Sequence, residues 1–217
     1  GYPIARVTAK VAVGMNLDEI AVANTTAAFE PQLDYVVAKL PRFPFDKFSS
    51  AANTLGTQMK ATGEVMGIGA TLEECLLKSI RSLEIGADHL WLPKFQNKTK
   101  EELLDYLRQF RDDGYFAIAQ LMRLGVSTEE IFAVTMITPF FLEKLRGIVD
   151  MEETLRQHKN DGEILRRAKE MGFSDPAIAK LWGVSEKIVY ALREEKGIFP
   201  KFKMVDTCHT GAYIPYF

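Results

Sequence analysis

The chain has 217 residues, a net charge of −2 at pH 7 and 47% hydrophobic residues. That length can bury a sizeable core in one or two domains, and the balanced charge argues against bulk attraction to nucleic acid or acidic membranes. No apolar run approaches the roughly 20 residues that span a bilayer, no signal peptide is visible, and Cys75 and Cys208 read as reduced thiols rather than a disulfide.

In chain order, Asp34-Tyr-Val-Val-Ala-Lys-Leu40 is short, β-branched and aromatic, and is stopped by Pro41, which predicts a strand. Pro44 is expected to keep the next residues extended, with Phe43, Phe45 and Phe48 available for burial. Gly63-Glu-Val-Met-Gly-Ile-Gly69 is too short for a helix and is bounded by glycines, so it reads as a buried strand. Glu64 within it needs a cation or an amide, and Lys60 is the expected partner. Thr71-Leu-Glu-Glu74 supplies a capping box, and Leu72, Leu76, Ile80 and Leu83 predict a helix running to about Glu84 with that face inward.

Gly86 to Lys98, with Trp91, Pro93 and Phe95, has no period and reads as a linker, which puts a domain boundary near 85. Beyond it the pattern is helical to about residue 196. Thr99-Lys-Glu-Glu102 is a second capping box, followed by Leu103, Leu107 and Phe110 on one face, and Phe116 to Leu124 forms a short helix ended by Gly125. Leu124-Gly-Val-Ser-Thr-Glu-Glu-Ile-Phe-Ala-Val-Thr-Met-Ile137 then overlies Met171-Gly-Phe-Ser-Asp-Pro-Ala-Ile-Ala-Lys-Leu-Trp-Gly-Val184 at a spacing of 47 residues. Gly125 matches Gly172, Ser127 matches Ser174, Ile131 matches Ile178, Phe141 matches Ile188 and Leu145 matches Leu192. Thr138-Pro139 and Ser185 open the last helix of each unit. Two copies make a duplicated helical hairpin rather than a solenoid.

The second copy also has the spacing of a helix-turn-helix nucleic-acid-binding module, the alternative reading of this chain. Its charge argues against DNA: Lys180, Lys187, Arg193 and Lys196 are balanced by Asp175, Glu186, Glu194 and Glu195 between Ser174 and Lys196. Candidate chemistry is sparse. His89, His158 and His209 lack metal-ligand spacing and read as solvated or singly bonded. Cys208-His209 has no third orienting group, and adjacent side chains on an extended chain point apart. Arg42 reads as a structural ion pair. Neither a Glu-x-Asn pair nor a Gly-rich phosphate loop occurs, so no catalytic, cofactor-binding or metal residue is assigned.

Phe29-Glu-Pro-Gln-Leu-Asp-Tyr-Val-Val-Ala-Lys-Leu-Pro-Arg-Phe43 and Met59-Lys-Ala-Thr-Gly-Glu-Val-Met-Gly-Ile-Gly69, with the helix after them, resemble the large chain of the glutamine-hydrolysing carbamoyl phosphate synthetases. The likeness resumes more loosely from Arg108 to Cys208. Gly-Glu-Val-Met-x-Ile-Gly is shared with biotin-dependent carboxylases, whereas Pro-Arg-Phe-x-Phe-Asp-Lys-Phe points to the synthetases. Two places depart from the family: Ala21-Val-Ala-Asn-Thr-Thr-Ala-Ala28 lacks the usual Thr-Gly-Gly, and the tail Asp206 to Phe217 lacks Ala-Glu-Phe between Asp-Thr-Cys and Pro-Tyr-Phe.

The resemblance implies a mainly α fold: a helical oligomerisation domain over 85–217, including a following linker, preceded at 1–84 by an α+β remnant of an ATP-grasp carboxyphosphate domain. It implies a parent ligase making carbamoyl phosphate from bicarbonate, glutamine-derived ammonia and two ATP. That parent would use Mg or Mn, pair with a glutamine amidotransferase small subunit and serve cytoplasmic arginine or pyrimidine synthesis. The chain starts at Gly1-Tyr-Pro-Ile in a helix-forming run and is expected to be a fragment, inactive by itself, without nucleic-acid or membrane partners. Leu33, Met59 and Thr62 are the expected wall of the channel that carries intermediates in this family. Phe140, Phe141 and Trp182 are expected to offer apolar surface for self-association.

Overall fold

The computed structural model describes residues 2–30, 33–45, 47–48, 50–203 and 205. The chain divides into two compact units, Gly1–Val36 with Pro200–Phe217, and Val37–Phe199. In the smaller unit, helix α1 (Ile4–Ala12) precedes a hairpin of β1 (Ala21–Val22) and β2 (Thr25–Thr26), antiparallel with Ala21 opposite Thr26. The short Ala21–Ala28 segment is thus a tight reversal. Val7, Ile20 and Val22 form its small core, closed by the Tyr2 hydroxyl donating to Ala27 O at 3.1 Å.

The larger unit begins with two hydrogen-bonded strands, β3 (Val36–Arg42) and β4 (Gly63–Gly69). β4 has the predicted limits, but it is not a buried strand: within it only Gly67 is buried and Met66 is exposed. After Pro44 the chain turns instead of extending, with Lys47 and Phe48 N–H donating to Pro44 O, and Phe48 is exposed while Phe43 and Phe45 stack at 5.5 Å.

Helix α2 (Leu72–Ser82) packs on the strands, where Ser79 Oγ donates to Ala38 O at 3.0 Å in a buried position. A Cβ at Gly67 would overlap the Cys75 carbonyl oxygen, so only glycine lets β4 approach α2 this closely. The buried face is Cys75, Leu77, Ser79, Ile80 and Leu83, while Leu72 and Leu76 are half-buried. Thr71 caps the Glu74 amide as predicted, but Glu74 Oε2 accepts from Ala70 N rather than closing the box on Thr71.

Residues 86–98 are not a linker. Ala87, His89, Leu90 and Phe95 are buried, and Phe95 meets Tyr106 edge-on at 5.1 Å. This core runs without a break from Leu77 and Ile80 into the helices beyond 85. Those helices are α3 (Lys100–Leu107), α4 (Gly114–Arg123), α5 (Thr128–Thr135), α6 (Pro139–Gln157), α7 (Gly162–Glu170), α8 (Asp175–Trp182) and α9 (Glu186–Glu195). α3 carries the full reciprocal capping box of Thr99 and Glu102. Phe110 is exposed at positive φ beyond the end of α3, and its carbonyl accepts from Leu55 N at 2.8 Å.

The duplication is in register. α5 and α8 share their limits at the spacing of 47, α6 and α9 start in step, and Gly125 and Gly172 both adopt positive φ. Ser127 and Ser174 accept from Glu130 N and Ala177 N, and Ile131 and Ile178 are fully buried. Thr138 and Ser185 occupy the next cap positions without accepting a side-chain cap bond. α6, with 19 residues against 10, outruns α9 by about two and a half turns and forms the spine, touching α2, α4, α5, α7 and α8.

Candidate assembly surface and buried charge networks

Each of the expected channel residues is exposed. Leu33 is exposed in the smaller unit; Met59 and Thr62 are exposed in the larger one, where Thr62 N donates to Arg42 O at 3.0 Å. Arg42 Nη1 reaches Phe43 O. Glu64 pairs with Lys39 at 2.8 Å across the strands, not with Lys60, whose ammonium donates to Ala52 O and Thr54 O. Side chains one strand apart are closer than those four residues along one chain, which explains the change of partner. Cys208, His209 and the tail from Asp206 lie outside the described residues. The Cys75 thiol is buried; burial first, and then the Glu74 charge, push it above its ordinary value, away from nucleophile chemistry.

Of the two readings for His89, solvated or singly bonded, the structure shows the second, in a buried position. The histidine sits with Arg123 around Glu152, a carboxylate with no exposure on the inner face of α6. Glu152 Oε1 accepts from His89 Nδ1 at 2.6 Å and from Arg123 Nη2 at 2.9 Å, and Oε2 accepts from Arg123 Nε at 2.9 Å. An ionised carboxylate only accepts, so His89 Nδ1 carries the proton. Arg123 Nη2 also holds Leu90 O, binding the 86–92 segment to α4 and α6. Burial pushes the Glu152 carboxyl up, but the hydrogen bonds from His89 and Arg123 outweigh it and hold the group below its ordinary value. The readable signal for this network is a lone acid in the stripe Ile148, Val149, Leu155; the spacing of histidines alone misses it.

The second hairpin has its own network. Asp175, buried at the start of α8, accepts from Lys169 Nζ at 2.8 Å and from Arg193 Nη1 at 2.9 Å. Burial lowers the Lys169 ammonium below its ordinary value, with Asp175 opposing the shift. Lys180 pairs with Asp88 and Lys196 with Glu195, so three of the four cations counted in this stretch are engaged within the chain. Among the described residues no group of three or more His, Cys, Asp or Glu side chains could hold a metal ion, and no helix is long and apolar enough to cross a membrane.

The aromatic surface is partly corrected. Phe140 and Phe141 are 57% and 50% exposed and meet edge-on at 5.3 Å, whereas Trp182 is 1% exposed and belongs to the core. Trp182 is the last residue of α8 and lies in the same buried cluster as Ala177, Ile178 and Ala179 of that helix. Lys144 lies 5.7 Å from the Phe140 ring and 3.2 Å from Glu73 of α2.

What this bundle offers is exposed apolar surface on a frame whose buried charges are matched internally. The model of the carbamoyl-phosphate synthetase large chain oligomerisation domain matches residues 64–197, well over half of the chain, and spans β4, α2 and both hairpins. By that match the chain belongs to the carbamoyl-phosphate synthetase large chain family, through its oligomerisation domain.

Proposed function

We propose that this chain is a non-catalytic assembly piece of a carbamoyl phosphate synthase large subunit. Residues 1–84 would close an ATP-grasp carboxyphosphate domain, and 85–217 would form the helical oligomerisation domain and following linker. The observation that carries this reading is the oligomerisation-domain match over residues 64–197. The sequence supports the non-catalytic part, having neither a Glu-x-Asn pair nor a Gly-rich phosphate loop.

The parent reaction would run in three steps. ATP phosphorylates bicarbonate to carboxyphosphate, glutamine-derived ammonia displaces its phosphate to give carbamate, and a second ATP phosphorylates the carbamate. Mg or Mn would accompany the nucleotide, a glutamine amidotransferase small subunit would supply ammonia, and the product would feed cytoplasmic arginine or pyrimidine synthesis. Leu33, Met59 and Thr62 would line part of the path that keeps the unstable intermediates from water. In the complete enzyme, Met59→Glu is expected to raise ATP hydrolysed per carbamoyl phosphate formed; unchanged coupling removes that role.

The 217-residue chain should self-associate in sedimentation velocity as its concentration rises, and should not hydrolyse Mg-ATP. A monomer at every concentration, or stoichiometric Mg-ATP binding in calorimetry, overturns the reading.

A further inference from the structure

The β3–β4 connection, residues 43–62, is longer than the roughly 15 residues beyond which connections without regular structure are uncommon in compact domains. Its described part lies largely on the surface: Ala51, Ala52, Thr54 and the run 56–59 are exposed. A segment with so little burial has little packing of its own to hold it in one place. Hydrogen bonds hold it instead. At the base Thr62 N donates to Arg42 O at 3.0 Å. Within the connection Lys60 Nζ donates to Ala52 O at 3.0 Å and to Thr54 O at 2.6 Å, closing 52–60 into one lobe. The lobe then meets the corner between α3 and α4. Thr54 pairs with Arg111 in an antiparallel bridge, and Leu55 N donates to Phe110 O at 2.8 Å.

The corner has bracing of its own. The Tyr106 hydroxyl donates to Asp113 Oδ1 at 2.6 Å, and Lys94, which pairs with Asp113, lies 5.0 Å from the centre of the buried Phe95 ring. The Arg111 guanidinium lies 4.9 Å from the centre of the Tyr106 ring and donates to Gln109 Oε1. Phe110 is at φ 49°, a left-handed setting that a residue other than glycine keeps only where its surroundings impose it, and the residue is 65% exposed. What that setting provides is a carbonyl for Leu55, not a buried side chain.

We propose that the α3–α4 corner is a positioning element for the β3–β4 connection. Phe110, through its carbonyl, sets where the 52–60 lobe sits, and so ties the helical bundle to the segment that carries Met59 and Thr62. The consequence for chemistry rests on the path assigned to those two residues above. The bracing gives the direction of control. Tyr106, Lys94 and Gln109 hold the corner whatever the lobe does, whereas the lobe has Lys60 within itself and the corner outside.

Phe110→Val and Phe110→Gly, set against each other, separate the carbonyl from the side chain. Valine is branched at Cβ and resists positive φ, glycine accepts it, and at so exposed a position neither change opens a cavity. In the 217-residue chain, amide exchange followed by NMR should show Leu55 N–H exchanging about tenfold or more slower than Thr57 and Gln58 N–H after correction for intrinsic rates. Phe110→Val should abolish that protection while the core amides of Ile148 and Leu155 keep theirs, and Phe110→Gly should retain it. Lys60→Met, which removes both ammonium bonds and keeps the aliphatic length, should reduce it. In the complete enzyme, Phe110→Val should raise the ATP hydrolysed per carbamoyl phosphate by about twofold or more, and Phe110→Gly should return the wild-type ratio. Leu55 exchanging as fast as Gln58 in the wild type, or protection that survives Phe110→Val, overturns the proposal. Protection lost in Phe110→Gly as well assigns the contact to the phenyl ring and also overturns it. Protection lost in Phe110→Val with unchanged coupling overturns the positioning role and leaves the assembly reading standing. A failure of the assembly reading is seen in sedimentation and not in the exchange rates, so the two are distinguished.

Discussion

The first hairpin, α4 to α6, and the second, α7 to α9, run the same backbone program with different side chains around it. Glycine at positive φ, a serine cap, a short helix, a left-handed turn and a second helix recur in step. Each is also locked by one buried carboxylate that accepts from two side-chain donors: Glu152 from His89 and Arg123, and Asp175 from Lys169 and Arg193. The carboxylates are not at equivalent positions. Glu152 lies deep in the extended part of α6, while Asp175 lies at the start of α8. Local signals build the repeated frame, and each copy then secures itself with its own polar lock.

Removing the locks is the most severe way to test that comparison. Glu152→Ala leaves Arg123 and His89 buried without their acceptor and should destabilise the fold by about 3–5 kcal/mol in urea titration. Asp175→Ala, at a slightly more open site, should cost about 1.5–3 kcal/mol. Equal losses would show that depth does not separate the two.

The pH dependence sharpens the same contrast. Glu152 is held below its unfolded value of about 4.3, so its stabilising contribution is complete above that pH and is lost as pH falls through the lower folded value. Melting temperature should therefore fall more steeply below about pH 4.3 in the wild type than in Glu152→Gln. Parallel curves would remove Glu152 from the acid response.

The paired glycines give a smaller effect of known sign. At Gly125 an added Cβ meets nothing within 4 Å, so Gly125→Ala should cost only the backbone strain of positive φ, about 1 kcal/mol. At Gly172, also at positive φ, a Cβ would lie 3.0 Å from Glu74 Cα, so Gly172→Ala should cost more, because α2 backbone would have to move. Denaturant midpoints that place Gly125→Ala below Gly172→Ala would break this ordering. The smallest expected difference is between the caps: Ser127→Ala and Ser174→Ala should each lose about 1 kcal/mol, and a large gap between them would contradict the shared frame.

Much of this was legible in the residues. Caps and left-handed turns depend on interactions within a few residues, so Ser127, Ser174, Thr99 and the spacing of 47 announced the hairpins before any contact was known. The limits of β4 were equally local, since glycines bound it. Burial was harder to read. Gly86 to Lys98 resembled a linker because its apolar residues follow no period, yet Leu90 and Phe95 fill the core. Trp182 resembled an exposed anchor because side-chain type alone does not give direction. The partner of Glu64 was misread for a related reason, since it takes Lys39 across the strands, and the partners of Glu152, 63 and 29 residues away, leave no local signal.

Helix limits, caps, the repeat and the uncharged run from Ile131 to Leu142 follow from short-range hydrogen bonding and composition, and any copy of these residues carries them. Which acid is buried, which cations answer it, and which aromatics stay in water depend on where distant segments converge. Those choices belong to the packed bundle, because burying a charge is tolerable only where partners from other elements arrive to meet it.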